Sequence, residues 1–121
     1  MPITLAEIRV RKELRRKELS RELEKIREQL AFLGALRMVV FGSFASGEVI
    51  STSDLDVLAV MPPTKTGKEW LRILSETIDR EVSLDIMAFT DEELEKALPV
   101  SSFLRRVLET GKVVYEKKSK G

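Results

Sequence analysis

A Gly-Ser turn follows one short apolar run of this chain, and a pair of acids opens the next. The turn is Gly42-Ser43, and the acids are Asp54 and Asp56. On a strand, side chains two residues apart lie on the same face, with Cα atoms about 6.5 Å apart. Two carboxylates placed in this way repel one another unless a cation binds between them. The stretch therefore predicts two strands joined by a turn, with two aspartates available to a metal ion.

The composition excludes several kinds of chemistry. The 121 residues include neither Cys nor His, so thiolate nucleophiles, histidine bases and His or Cys metal sites are excluded. Carboxylates, hydroxyls, Lys and Arg remain, with metal ions held by oxygen ligands. Such ligands favour Mg²⁺ or Mn²⁺. The formal net charge is +1, which argues against a general attraction to nucleic acid or to an anionic membrane.

The length and the charge pattern indicate one soluble domain. No apolar run approaches the 18 or so residues of a membrane span, and the first residues have no apolar block typical of a signal peptide. We therefore expect a cytoplasmic protein without membrane contacts. Asn is absent and Gln occurs once, at Gln29, while Glu, Lys and Arg are abundant. This bias is typical of hyperthermophile proteins and predicts a thermophilic source.

Residues 1–34 predict a long amphipathic helix. Thr4 and Glu7 have the spacing of a capping box, and Gly34 is placed to end the helix. Apolar residues recur every three or four positions along its second half: Leu19, Leu23, Ile26, Leu30 and Leu33. This stripe could pack on the chain's own sheet, mediate a homodimer or bind a partner. Basic residues of the first half are expected to lie on a solvated face rather than to bind RNA: Arg9, Arg11, Lys12, Arg15, Arg16 and Lys17.

The remainder predicts an α/β (α+β) domain over residues 35–116 and a disordered basic tail over 117–121. Expected strands cover 38–41, 55–61, 82–89 and 113–115. Expected helices cover 43–47, about 66–79, about 91–98 and a segment from Pro99 to Gly111; capping-box spellings at Thr66 and Thr90 mark two of the starts. We expect a small mixed sheet of about four strands with helices mainly on one face.

Asp85 is an acid within the otherwise apolar third strand. Burial of an unpaired carboxylate there would be unfavourable, so pairing or metal binding is expected. If the second and third strands are neighbours, Asp85 would join Asp54 and Asp56 in a three-carboxylate site. The Gly42-Ser43 turn allows a ligand close to the backbone, and N–H groups of the following helix can bind phosphate. Each feature alone is ordinary turn or strand chemistry; the order and spacing together predict a site.

This constellation resembles the nucleotidyltransferase superfamily of DNA polymerase beta, and most closely its minimal nucleotidyltransferases. Their pattern is Gly-Ser, a short helix ending in Gly, Ser-Asp-x-Asp, and a third Asp on a later strand. It falls here on Gly42, Ser43, Gly47, Ser53, Asp54, Asp56 and Asp85. The resemblance covers about residues 38–115. Ser46 departs from it, since many members carry Arg at that position.

The resemblance implies the fold named above and a set of residue roles. Asp54 and Asp56 would hold two Mg²⁺ ions, for which Mn²⁺ could substitute. Asp85 would hold the catalytic ion and help to activate the incoming hydroxyl. Gly42 and Ser43, with Ser53 beside them, would form the nucleotide-binding group. The implied reaction transfers a nucleoside monophosphate, AMP from ATP, to an acceptor hydroxyl and releases pyrophosphate.

The resemblance also implies a partner. Minimal nucleotidyltransferases are commonly paired with a HEPN-domain toxin, and they act as antitoxin by adding AMP to a toxin tyrosine. The chain is short for a substrate-binding domain, which agrees with an acceptor brought by another protein. Two alternatives remain open at this point. The chain could be a catalytically weak binding module that neutralises its partner by contact, or it could modify a small molecule or RNA.

Overall fold

Five helices and four strands lie along residues 2–118, the part of the chain that a computed structural model describes. The elements are α1 (Leu5–Phe32), β1 (Arg37–Phe41), α2 (Gly42–Ser46), β2 (Leu55–Val60), α3 (Gly67–Thr77), β3 (Leu84–Phe89), α4 (Asp91–Ala97), α5 (Ser102–Thr110) and β4 (Lys112–Glu116). The tail predicted over residues 117–121 lies mostly outside the described residues.

The four strands form one mixed sheet, as the sequence predicts. Their order is β3-β2-β1-β4, with β1 antiparallel to both β2 and β4 and with β2 parallel to β3. This topology brings the end of β1 and the starts of β2 and β3 to the same end of the sheet, where the strands begin or finish. The Gly-Ser turn and the acids, which are distant in sequence, are therefore adjacent in the fold.

The two long helices cover one face of the sheet. Leu19, Ile26 and Leu30 of α1 share a core with Trp70 and Leu74 of α3. The shorter α4 and α5 cover the opposite face, where Leu94, Leu104 and Val107 pack against residues that alternate along β1 and β2: Val39, Leu58 and Val60. The two longest helices thus lie on one face, as expected, whereas α4 and α5 form a second, smaller core on the other face.

The apolar stripe of α1 packs within the chain. Leu19, Ile26 and Leu30 are fully buried, which decides the alternative that the sequence left open for this part of the helix. Earlier turns expose Leu5 and Val10, so a homodimer through α1 remains a prediction that concerns those turns. Among residues 2–118, no helix is both long enough and apolar enough to cross a membrane.

Local signals placed most element boundaries correctly. Thr66 and Thr90 form complete capping boxes at the starts of α3 and α4, and Gly34 follows α1 with a φ of 98°. The helix expected from Pro99 begins instead at Ser102, because the preceding Ser101 accepts a hydrogen bond from the Leu104 N–H at 3.2 Å and caps α5 there.

Paired substitutions in α1 test which half of the helix stabilises the fold. Leu19 is 0% exposed and Leu14 is 61% exposed. We expect Leu19→Ala to lower the free energy of unfolding by about 2–5 kcal/mol, because it leaves a cavity beneath the sheet. Leu14→Ala should change it by less than about 0.5 kcal/mol. Denaturant titration followed by circular dichroism measures both, and equal losses would contradict this packing.

Candidate active site

Asp56 and Asp85 lie side by side at the start of the parallel strands. Asp56 is the second residue of β2 and Asp85 the second residue of β3, and the two are register partners. In a parallel pair, register partners project to the same face of the sheet. On its other side Asp56 faces Phe41, the last residue of β1. The sequence prediction that Asp56 and Asp85 meet thus depended on β2 and β3 being neighbours, which they are.

Gly42 lies directly against the carboxylate of Asp56. A Cβ atom built on Gly42 would lie 2.2 Å from Asp56 Oδ2, and the residue has a φ of 75°. Both the close approach and the left-handed backbone therefore require glycine here. This contact places the Gly-Ser turn at the acids, so that a ligand at the turn also meets the Asp56 carboxylate.

The pKa of Asp56 is raised above its ordinary value. Partial burial of the carboxyl is the main cause, followed by the negative charges of Asp85 and Asp54 and by a hydrogen bond shared with Asp85. All of these disfavour the charged form of Asp56. The same surroundings would favour a cation, because a bound positive charge removes the repulsion between the carboxylates.

Asp85 corrects one expectation from the sequence. Pairing or metal binding was expected because burial of an unpaired acid in an apolar strand is unfavourable, but the side chain of Asp85 is exposed. The reason is the position of β3 at the edge of the sheet, where only β2 flanks it. Asp85 is therefore open to solvent and to an approaching molecule.

Arg15 of α1 holds the turn that carries Asp54. Its Nε donates to the Ser53 carbonyl at 2.8 Å, and its Nη2 lies 3.6 Å from Asp54 Oδ1. The Arg15 side chain is only 19% exposed. The sequence pattern placed Arg15 on a solvated face, and no local signal corrects that prediction, because the contact spans 38 positions. The neighbouring Arg16 donates to the Gly47 carbonyl at 3.4 Å, at the end of α2.

The two predicted nucleotide-binding serines occupy different surroundings. Ser53 is buried, and its hydroxyl accepts a hydrogen bond from the Ile50 N–H at 2.8 Å, which closes the turn before Asp54. Ser43 is half-buried at the start of α2. Because α2 has five residues, its dipole is small, and a phosphate there would depend on individual N–H groups and on the Ser43 hydroxyl. Contacts of Gly42, Ser43 and Ser53 with a nucleotide stay predictions.

The three aspartates have the oxygen ligands that a hard divalent cation prefers, although their side chains do not converge on one point. Within residues 2–118, no three acidic side chains are gathered closely enough to hold a metal ion. Asp56 and Asp85 adjoin one another, whereas Asp54 is engaged by Arg15. Carboxylate oxygens are the ligands that Mg²⁺ and Mn²⁺ prefer. Asp56 and Asp85 would therefore form the central ligands, with Asp54 at the side.

A Gly-Ser turn packed on an acid at the edge of a small mixed sheet is typical of transferases that act on nucleoside triphosphates. The comparison with known families agrees with this class. A family model described as a nucleotidyltransferase domain matches residues 23–119. The chain therefore belongs to the nucleotidyltransferase domain family, whose members transfer nucleoside monophosphates.

A solved structure agrees at the level of the fold. The chain is similar to a Sulfolobus solfataricus protein provisionally described as a nucleotidyltransferase, with 17% sequence identity, a TM-score of 0.64 and 88% of each chain covered. None of the curated proteins matches the chain. The family match begins at residue 23, so Arg15 and Arg16 precede it.

Relief of charge repulsion predicts that Asp56→Asn stabilises the metal-free protein at neutral pH. Because the pKa of folded Asp56 is raised, the stability that Asp56 contributes is fully present below its unfolded pKa of about 3.9 and is lost as pH rises through the folded pKa. The gain from Asp56→Asn should be at most about 1 kcal/mol near pH 7, since solvent screens these charges, and it should vanish near pH 4.

Thermal unfolding in the presence of a chelator measures this effect across pH. Asp54→Asn is the matched comparison and should bring a smaller gain, because its carboxylate lies near Arg15 as well as near Asp56. A less stable Asp56→Asn protein at neutral pH would contradict the repulsion.

Arg15→Gln should lower the free energy of unfolding by about 1 kcal/mol, because it removes a charged donor from Ser53 and Asp54. Arg16→Gln is the control and should cost less, since its hydrogen bond to Gly47 is longer and its ion pair with Glu13 is exposed. If Arg15 also acts through Asp54, its loss should cost about 0.5 kcal/mol less in an Asp54→Asn background. Equal costs in both backgrounds, measured by urea titration, would leave only the contacts of Arg15 with Ser53 and Glu18.

Proposed function

We propose that this chain is a Mg²⁺-dependent nucleotidyltransferase that transfers AMP from ATP to a hydroxyl of a partner protein. One observation carries the proposal: in a chain of the nucleotidyltransferase domain family, Asp56 and Asp85 are register partners and Gly42 packs on Asp56. This arrangement joins a phosphate-binding turn to adjacent acids.

Each acid has a role that follows from its position. Asp56, which adjoins Gly42 and Asp85, would hold the ions together with Asp85, and Asp54 would supply further oxygens. When bound, Mg²⁺ or Mn²⁺ would neutralise phosphate charge and lower the pKa of the acceptor hydroxyl. Asp85 is exposed at an edge strand, so its carboxylate can meet an acceptor that arrives from solvent.

The proposed reaction is a single displacement at the α-phosphorus of ATP. The acceptor oxygen forms a new bond to that phosphorus as the bond to the bridging oxygen of the β-phosphate breaks. The proton of the acceptor hydroxyl passes to the carboxylate of Asp85, and pyrophosphate leaves with the electron pair of the broken bond. Gly42 and Ser43 hold the departing phosphates, so the chain contributes mainly by positioning.

A protein acceptor, and specifically a HEPN-domain toxin for which this chain would be the antitoxin, follows from the resemblance to minimal nucleotidyltransferases. Two features of the structure support a large acceptor. Asp85 is open to solvent at the edge of the sheet, and the first turns of α1 expose Leu5, Val10 and Leu14. Exposed apolar side chains of this kind offer a partner a surface to bind.

A second function is favoured by one observation. Arg15 engages Asp54, and among residues 2–118 the acids do not form a ready three-carboxylate cluster. A chain of this kind could bind and neutralise its partner without turnover. The two functions differ in whether the acids are needed for protection or only the binding surface is.

Label transfer tests the proposal. The chain and its candidate partner, the product of the neighbouring gene, are incubated with Mg²⁺ and ATP labelled at the α-phosphate. We expect label on the partner with the native chain and a loss of at least about 100-fold with the Asp54→Asn, Asp56→Asn double variant, since removal of metal ligands abolishes positioning of the phosphate. ATP labelled at the γ-phosphate should release labelled pyrophosphate and leave the partner unlabelled.

Asp79→Asn is the matched control, because Asp79 pairs with Lys25 on α1 and lies outside the predicted site; it should retain transfer. Absence of transfer by the native chain, with the complex intact, would support the binding module instead. Label on RNA or on a small molecule, rather than on protein, would overturn the choice of acceptor and leave the reaction class standing.

A further inference from the structure

A cavity of about 720 Å³ opens beside the Gly-Ser turn, between α2 and α5. Gly42, Ser43 and Ser46 form one wall. Because Gly42 also touches the Asp56 carboxylate, the cavity adjoins the acids. Its volume is in the range of cavities that hold small ligands.

The opposite wall is one stripe of α5. Phe103, Arg106, Val107 and Thr110 line the cavity and are spaced by three and four residues, so they share a face of the helix. Val107 is buried and anchors α5 to the sheet. Phe103 is 55% exposed and meets Phe41 edge to face, with ring centres 6.1 Å apart. The helix thus presents a fixed surface toward α2.

Arg106 is the basic residue of this cavity, and its charge is not neutralised within the described part of the chain. In residues 2–118 its guanidinium forms no ion pair and donates no hydrogen bond to another residue. Glu48 also lines the cavity without pairing with it. The adjacent Arg105 differs, since its Nη1 donates to the Leu98 carbonyl at the end of α4.

We propose that Arg106 binds the terminal phosphates of the nucleoside triphosphate, and the pyrophosphate that they become. The inference rests on the proposed function and extends its site to α5. A guanidinium that lines the same cavity as the Ser43 hydroxyl is a set of donors suited to phosphate oxygens, whereas the Ser46 hydroxyl already donates to the Ser43 carbonyl at 3.2 Å. Arg106 is itself exposed, so its charge is open to a phosphate that enters the cavity from solvent.

The position of the cavity assigns it to this end of the nucleotide. Reaction takes place at the α-phosphorus, beside Asp56, so the cavity on the far side of Gly42 receives one of the two groups attached there. The Ser43 hydroxyl and the Arg106 guanidinium suit the phosphates, and an uncharged base would leave Arg106 without a partner. Arg106 is therefore a substrate-binding residue with no part in proton transfer.

Calorimetric titration of pyrophosphate in the presence of Mg²⁺ tests the inference. We expect Arg106→Gln to weaken pyrophosphate binding about tenfold, as loss of one charged hydrogen bond to phosphate does. Arg105→Gln, an identical change one residue away, should alter it by less than about twofold. Arg106→Lys, which keeps the charge, should restore part of the affinity. AMP, which lacks the terminal phosphates, should bind all four proteins alike.

The outcomes separate this inference from the proposed function. Equal pyrophosphate affinity for native, Arg105→Gln and Arg106→Gln proteins would overturn the role of Arg106, and label transfer would be unaffected. A loss of AMP affinity in Arg106→Gln would place the base or ribose in the cavity and would also overturn it. Failure of the native chain to bind either pyrophosphate or ATP would overturn both proposals.

Discussion

The parallel pairing of β2 with β3 is the constraint on which the site depends. It fixes Asp56 opposite Asp85 and so forces two like charges together on one face of the sheet. Within residues 2–118 no basic side chain lowers the pKa of Asp56, which is raised instead. Gly42 then brings the backbone of the preceding turn against the same carboxylate. The sheet thus creates a local charge that a cation can neutralise, at the place where a phosphate can be held.

The helices pack on both faces of the sheet and also contact the site. The second half of α1 and the whole of α3 bury one face of the sheet, while α4 and α5 bury the other. Both groups also reach the site: α1 through Arg15 at the Ser53–Asp54 turn, and α5 through the stripe that faces α2. The residues that stabilise the fold and those that shape the site therefore lie on the same elements, one to four residues apart.

Much of this arrangement could be predicted from the sequence because its signals are local. Capping boxes at Thr66 and Thr90, and the turn glycines, fixed the helix ends, and the spacing of Asp54 and Asp56 indicated acids on one face. Contacts between distant segments could not be predicted in this way. The role of Arg15 depends on how α1 crosses the sheet, and the exposure of Asp85 depends on β3 having a single neighbour. Periodicity within either segment carries no information about these two facts.

The first turns of α1 are mechanically joined to the acids. Ten residues separate Leu5 from Arg15 on an uninterrupted helix, which amounts to about 15 Å of rigid rod at 1.5 Å per residue. The free end of the rod is exposed, whereas its fixed end contacts Ser53 and Asp54. A partner that displaces Leu5 would therefore also displace Arg15 and, through it, the Ser53–Asp54 turn, without entering the space between the acids. The sensitivity of this site to its surroundings therefore extends well beyond the atoms that line it.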